Sequence, residues 1–450
     1  PPRSTLFPYT TLFRSVCFIQ VKKNLSPMVN VLPTNPLTYR WIILAVSFLL
    51  ITVTNGLTLG GLYVFEEEIM NSLSQMTGED VLRADLKLRD AITLWSTAVF
   101  GFFAGVAADK IGVRKLMVSG LLILSACFWQ YSQAESLNQM YIIHIFMGFV
   151  LCISGMLVNV ILISRWFNNQ RGLAIGILLA GTSTGNGLFP QLNTWLLSLG
   201  DWREVMTWLS LVPLFLIPFL LLVVKNGPED LQKAENEVSN KSFDASNQKG
   251  GFTLQQALKS KNFWLLSLMA FCTFYAILAM TGHVFLLLRE ENYVPQVAAT
   301  GVSLIFFGGF IGKITSGELA EKYGRKVILL TGVGVMFIGS IFIVLALVYK
   351  NPIFVWIGLA LYGTGWGGLY TLIQLLTADL FGLISLGKIM GVINILDTLG
   401  GGLGPFFTGY LYDQTQGYVI PFTLISILLV IAFISSSMLK IDDKEIQENR

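Results

Sequence analysis

Charge is what this sequence has least of. Only 13% of its 450 residues are Asp, Glu, Lys or Arg, against roughly 25% in soluble domains. Hydrophobic residues make up 54%, and the mean hydropathy is +0.65. So little polar surface excludes a water-soluble globule and points to an all-α membrane protein. The net charge is +3 with no basic block, which leaves nucleic acid without an electrostatic footprint. Histidine occurs twice and cysteine four times. Cys17, Cys127, Cys152 and Cys272 show neither metal spacing nor a paired framework, so they read as structural thiols and no metal is expected. The chain shows no phosphate-cradling glycine loop and no nucleophile–base constellation, which disfavours an ATP-driven pump and an enzyme. No cofactor is expected.

What is present is length in apolar runs. A helix needs about 20 mainly apolar residues to cross a bilayer, and twelve runs qualify. They lie near 41–65, 91–108, 115–134, 138–163, 172–198, 203–224, 262–288, 297–319, 326–348, 352–377, 388–411 and 418–439. The opening PPRSTLFPYTTLFRS precedes the first methionine, Met28, and residues 1–27 are expected to be a non-native leader. The expected organisation is a six-helix bundle over 28–224, a polar linker over 225–261 rich in Asn, Ser, Lys and Glu, and a second six-helix bundle with a short tail over 262–450.

Lys and Arg set the orientation. With both termini and the linker on one side, only Arg83, Lys87, Arg89, Arg203, Arg289 and Lys350 of the 30 basic residues fall in the opposite loops. All others except Lys313 lie on the terminal side. Both termini are therefore expected in the cytoplasm of a plasma (inner) membrane protein. The outer segment Glu66–Asp90, with its surplus of carboxylates, is expected to be a solvated loop.

One pattern occurs twice. Gly105, Asp109, Lys110, Gly112 and Arg114 are matched by Gly317, Glu321, Lys322, Gly324 and Arg325, with Gly105 to Gly317 and Asp109 to Glu321 both 212 residues apart. That offset makes the halves parallel repeats. The glycines permit a tight turn and close helix approach. The acid and basic residues can act as a latch on the inner face, with Arg165 and Arg171 as partners for Asp109.

These two loops, each between the second and third spans of its half, resemble the signature of the major facilitator superfamily. A finer resemblance lies in RWFNNQRGLAIGILLAGTSTGNGLFP, residues Arg165–Pro190, which is similar to the fifth-span motif of monocarboxylate transporters and oxalate–formate antiporters. Gly172, Gly176, Ala180 and Thr184 recur every four residues there and give one small stripe suited to close packing. The Gly200-Asp-Trp-Arg203 run also fits that pattern. The resemblance implies two pseudo-symmetric six-helix bundles around a midplane site, working by alternating access.

Departures from the family locate the candidate chemistry. Asn55-Gly56 replaces an acid-Gly-rich first-span motif of the animal carriers, and the region of their first-span lysine, near Leu59, is apolar here. In span eight those carriers have Asp and Arg four residues apart, and the matching positions here are Gly309 and Lys313. In span eleven the antiporters have a lysine eight residues before a Gly-Pro proline, and the matching residue before Pro405 is Asp397. At 1.5 Å per residue Lys313 lies about 12 Å from Glu321, and Asp397 about 13 Å from Lys388. Both therefore sit near the middle of the bilayer. Uncompensated charge there is costly, so the two are expected to be neighbours or to line one watery cavity, either as a structural ion pair or as a substrate site.

On the second reading Lys313 binds the carboxylate of a small organic monocarboxylate or zwitterion. Asp397 takes the coupling proton, since burial favours a carboxylate's neutral form. Asn394, Asn55, Tyr63 and His283 are the further substrate-site candidates, with His283 at the outer mouth. His144 reads as helix packing and Asn186 as either interhelical glue or pathway. The partners implied are a small organic acid, a proton or counter-transported anion, and lipid, with a monomer as the functional unit. The alternatives are a carrier or exchanger of a non-carboxylate solute, and a transport-dead membrane sensor.

Overall fold

A backbone amide in hydrocarbon has no water to bond to, so only helices and closed barrels can span a bilayer. The computed structural model, which describes residues 36–167, 170–227, 251–382 and 384–440, is helical throughout and has no strand among those residues. The side chains of Pro36, Leu37, Phe102, Gly105, Val106 and Asp109 lie outside the description.

The first half comprises α1 (Pro36–Thr58), a 3-10 helix η1 (Gly60–Phe65), α2 (Glu66–Thr77), α3 (Arg83–Ile111), α4 (Val113–Ser132), α5 (Leu137–Ile153), α6 (Met156–Trp166), α7 (Arg171–Leu197) and α8 (Trp202–Val223). The short α9 (Leu254–Lys259) precedes the second half. That half holds α10 (Lys261–Glu290), α11 (Pro295–Tyr323), α12 (Arg325–Tyr349), α13 (Pro352–Trp366), α14 (Leu369–Phe381), α15 (Leu386–Thr415) and α16 (Val419–Ser437). Among the described residues eleven segments are long and apolar enough to cross a membrane, and the 29-residue α3 takes the place of the remaining expected span.

The duplication is visible in the backbone. Gly112 has φ 89 and ψ 140, and Gly324 has φ 93 and ψ 139. This conformation belongs almost to glycine alone, and both residues turn the chain sharply from one long helix into the next. The 212-residue offset recurs where the sequence had not signalled it. Gly155 interrupts the fourth span between α5 and α6, and Gly367 interrupts the tenth between α13 and α14. Freed backbone groups are recovered locally at the first break, where Asn159 Nδ2 donates to the carbonyls of Ser154 (2.8 Å) and Gly155 (2.7 Å).

The halves meet along two seams, α3 against α15 and α7 against α11, which the repeat exchanges for one another. Glycines set their closeness: a Cβ on Gly402 would stand 2.4 Å from Trp95 Nε1, and one on Gly409 would reach the backbone of Arg83 and Ala84. On α7, Gly181 and Gly185 pack directly on α1, whereas Gly172 and Gly176 stand in open space. The expected small stripe therefore packs only in part. The Gly-Asp-Trp-Arg run has a structural job: Asp201 and Glu204 form a capping box at the start of α8, satisfying orphan amides there.

The edges of the expected linker are ordered. Lys225 offers its carbonyl to Trp166 Nε1 (3.0 Å), and Asn226 accepts from the amide of Arg114 (3.2 Å). Phe252 donates its amide to Phe381 (2.8 Å), just before α9. Residues 1–27 and the middle of the linker, 228–250, lie outside the described residues. The second span begins at Arg83 rather than near residue 91, because the charged residues before 91 are folded into it.

Ala at position 324 would have to hold a conformation that costs a side-chain-bearing residue about 1–3 kcal/mol. Gly317 is helical with open space around a Cβ, where Ala gains about 0.5–1 kcal/mol. Gly324→Ala is therefore expected to lower the thermal unfolding midpoint in detergent, and Gly317→Ala to leave it unchanged or raise it.

Candidate functional site

Lys313 sits on α11, at the seam with α7. Its ammonium donates to Thr182 Oγ1 (2.7 Å) and Ser183 Oγ (2.8 Å), and it stands 5.0 Å from the centre of the Trp366 ring. No carboxylate pairs with it among the described residues. The cation is thus held by hydroxyl dipoles and an aromatic face, all of which an incoming anion could supplement. Gly309, one helical turn away, explains the room for that face. A Cβ there would lie 2.6 Å from the indole of Trp366, so the tryptophan occupies the space in which a side chain at 309 would stand. Gly367 completes the fit, since its missing Cβ would meet the backbone of Gly309, Gly312 and Lys313.

Asp397 does not pair with Lys313. It is 3% exposed and accepts from Thr398 Oγ1 (3.0 Å). The expectation of a direct pair fails for a packing reason: α11 lies on α7 and α13, while α15 lies on α10 and α3. Equal depth did not make the two residues neighbours. What links them is one wall. Trp366 beside Lys313 is followed four residues later by Tyr370, which lies in the field of Asp397 and engages Gln374. The ring of Phe274 on α10 stands 6.0 Å from that of Tyr370. The two charges therefore border one aromatic surface, made by Trp366, Tyr370 and Phe274.

A second polar assembly closes the end of the molecule that carries Arg83. Glu66, Lys87 and Arg89 are fully buried and Asp90 nearly so, so the solvated loop expected for Glu66–Asp90 holds for its exposed middle, Gln75–Asp80, and fails at both ends. Lys87 Nζ and Arg89 share Glu66 Oε1, at 2.5 and 2.6 Å, and both approach Asp90, at 3.6 and 3.4 Å. Lys87 also donates across the seam to the carbonyl of Gly282. Around this core Arg83 reaches Tyr418 Oη (2.5 Å) and Glu290 (3.0 Å), and Arg289 pairs with Glu67 (2.6 Å). The N-cap of α3, Leu82, offers no side-chain cap. The carboxylate of Asp413, from the other half, accepts instead from the amides of Arg83 (3.1 Å) and Ala84 (2.8 Å).

The remaining candidates divide. His283 is buried rather than lining a mouth: its Nε2 meets Pro405 O (2.8 Å) and its Nδ1 meets Tyr418 Oη (3.2 Å). Tyr63 lies beneath Lys87, whose Nζ is 4.8 Å from its ring centre, so it too belongs to this closed end. Asn55 turns back to Ile51 O (3.1 Å) within its own helix, and no hydrogen bond is recorded for Asn394. Asn186 accepts from the amide of Gly60 (2.8 Å), supporting the 3-10 turn of the first span. His144 bridges Thr93 and Tyr131 as a packing histidine.

At the opposite end two of the second-half latch residues are described in full. Arg325 pairs with Asp379, within its own half, and Glu321 is exposed with no ion pair among the described residues. Gly105 and Asp109 lie on α3 with side chains outside the description. Every hydrogen bond recorded between the halves among the described residues lies at the midplane or toward the Arg83 end. Among the described residues the polar contacts between the halves thus seal the Arg83 end. Sequence reading missed Asp379, Trp366, Tyr370 and the ionic core. For that core the available signal was Arg83, Lys87 and Asp90 at helical spacing on one face.

The family model described as Major Facilitator Superfamily matches residues 44–405. Relatives include the MFS-type transporter YcxA of Bacillus subtilis, 22% identical over 76% of this chain and 83% of its own length. The sialic acid transporter NanX of Escherichia coli is 24% identical over 74% of this chain and 80% of its own. Monocarboxylate transporter 13 of Bos taurus is 25% identical over 74% and 75%. Among solved structures, a bacterial homolog of the human lysosomal transporter Spinster, in an inward-facing and unoccupied conformation, superposes with a TM-score of 0.68 at 17% identity. That match covers 89% of this chain and 97% of that one.

Removing the acceptor of a buried amide costs about 1–3 kcal/mol. Asn186→Ala is therefore expected to lower the unfolding midpoint in detergent, while Asn186→Asp, which keeps an acceptor, retains more of the stability.

Proposed function

Because the chain belongs to the Major Facilitator Superfamily, whose members are transporters rather than enzymes, we propose that it is a secondary active carrier. Its solute is a small organic monocarboxylate or zwitterionic carboxylate, moved by alternating access with proton coupling. The single observation carrying this reading is Lys313, a midplane ammonium served by two hydroxyls and an indole and by no carboxylate. A buried cation without a counter-ion is unfavourable, and a substrate carboxylate supplies what is missing.

Asp397 gives the site its second charge. When a monoanion neutralises Lys313, a proton on Asp397 keeps the midplane neutral. When a zwitterion binds, its cationic end faces Asp397 and the Tyr370–Phe274 wall, where aromatic faces favour positive charge. Either way the charge added to the site, solute and proton together, sums to zero. A dianion would leave it unbalanced.

The Lys and Arg distribution places the Arg83 end outward and both termini in the cytoplasm of the plasma membrane. On that orientation the sealed end is the outer one, and the conformation is inward-facing. The two halves, 28–224 and 262–450, rock about the α3–α15 and α7–α11 seams.

Counterflow in proteoliposomes with lactate, pyruvate, oxalate and neutral amino acids tests the substrate class. A charge-assisted hydrogen bond is worth about 1.5–3 kcal/mol, so Lys313→Gln is expected to lower uptake of the preferred solute by about tenfold to a hundredfold. Asp397→Asn is expected to remove stimulation by an inward proton gradient while exchange persists. Undiminished counterflow in Lys313→Gln would overturn the reading.

A further inference from the structure

The ionic core at the Arg83 end is larger than anything needed to hold two helices together. Glu66, Lys87, Arg89 and Asp90 are withdrawn from solvent in the closed molecule, and their charges cancel. Three members are bound within the first half. Arg89 donates to Tyr131 Oη (2.8 Å) as well as to Glu66, and Asp90 lies beside both cations on the same helix. Lys87 alone reaches over the seam, giving one hydrogen bond to Glu66 and another to Gly282 O on α10.

Energetics argue against a purely stabilising role. Replacing a buried ionic cluster by apolar packing is often neutral or favourable, because desolvation offsets most of the attraction. An interface that must reopen has a different requirement. An apolar seal loses everything on exposure to water, whereas four charges regain hydration as they part from the second half. A cancelling ionic core therefore brings the closed and open arrangements closer in free energy.

We propose that the gate at the Arg83 end, where Lys87 reaches across the seam, shuts only when the charges of Glu66, Lys87, Arg89 and Asp90 sum to zero. Beside Lys87 the second half presents the carbonyl of Gly282 and the ring of His283, while its charged side chains Arg289, Glu290 and Asp413 are engaged by Glu67, Arg83 and the first amides of α3. His283 is held with Nε2–H donating to Pro405 O and Nδ1 accepting from Tyr418, whose oxygen in turn accepts from Arg83. Arg289 and Glu290 on α10 are already paired with Glu67 and Arg83, so an imbalance within the quartet meets only dipoles beside Lys87. Closing the gate on an unbalanced quartet buries a net unit charge without a partner, which is unfavourable, and the open form then dominates. The inference concerns a step common to any solute, so its failure leaves the reading of Lys313 untouched.

The test measures distance across the gate in the full-length protein, with spin labels at Leu82→Cys and Val294→Cys, exposed positions in opposite halves. The background carrying wild-type gate residues is expected to show mainly the short, closed distance. Lys87→Met leaves a net negative quartet and Glu66→Gln a net positive one, and each is expected to move the population at least several-fold toward longer distances. The double variant Glu66→Gln/Lys87→Met retains one acid and one base, and it is expected to recover the closed population despite carrying both lesions. A double variant as open as either single, or single variants that stay closed, would overturn the proposal. Thermal unfolding of all three separates this from misfolding: additive destabilisation without recovery in the double variant counts against charge balance.

Discussion

A charge that leaves water must be cancelled by another charge or by dipoles held in place, and the structure answers that constraint differently at its two depths. At the Arg83 end cancellation is internal: Glu66 and Asp90 balance Lys87 and Arg89, with no solvent needed. At the midplane it is left unfinished. Lys313 has dipoles but no anion, and Asp397 has a neighbouring hydroxyl but no cation. On the proposed readings the completed cluster serves as a door and the incomplete one as a binding place. The difference lies in whether each charge has found its opposite, since both clusters use the same few residue types.

Helix packing decides which outcome each charge receives. The seams bring α3 to α15 and α7 to α11, so Lys313 is delivered to the hydroxyls of α7, while Asp397 is turned toward the α14 wall. The same seams carry Arg83 to Asp413 and Tyr418. At the α7–α11 seam the long side chain of Lys313 makes the crossing, and the short side chains of Thr182 and Ser183 receive it from the other half.

The sequence made the fold legible through quantities that add up along the chain. Hydropathy summed over about 20 residues marks a span whatever its neighbours, and two motif copies at a fixed offset mark a duplication. The paired turns at Gly112 and Gly324 and the paired breaks at Gly155 and Gly367 obey that offset. The breaks escaped notice because a glycine in a glycine-rich membrane helix is no signal by itself. The site was legible only as depth. Lys313 and Asp397 could be placed at one level, but which helix each faces depends on lateral packing, and one-dimensional spacing carries no record of it. The Glu66–Asp90 segment misled at its two ends for the converse reason: its composition is that of a solvated loop, and only tertiary pairing removes those ends from water.

The glycine at 309 and the indole of Trp366 share a single volume, and this ties two positions 57 residues apart in the chain into one inherited unit. With Trp366 in place, an acid at 309 has nowhere to put its first carbon. A lineage regaining a carboxylate beside Lys313 would have to shrink the tryptophan first, giving up the aromatic face before it received the charge. The reverse order passes through a clash. Order of substitution, more than the chemistry of either side chain alone, separates this site from one built on an acid–base pair.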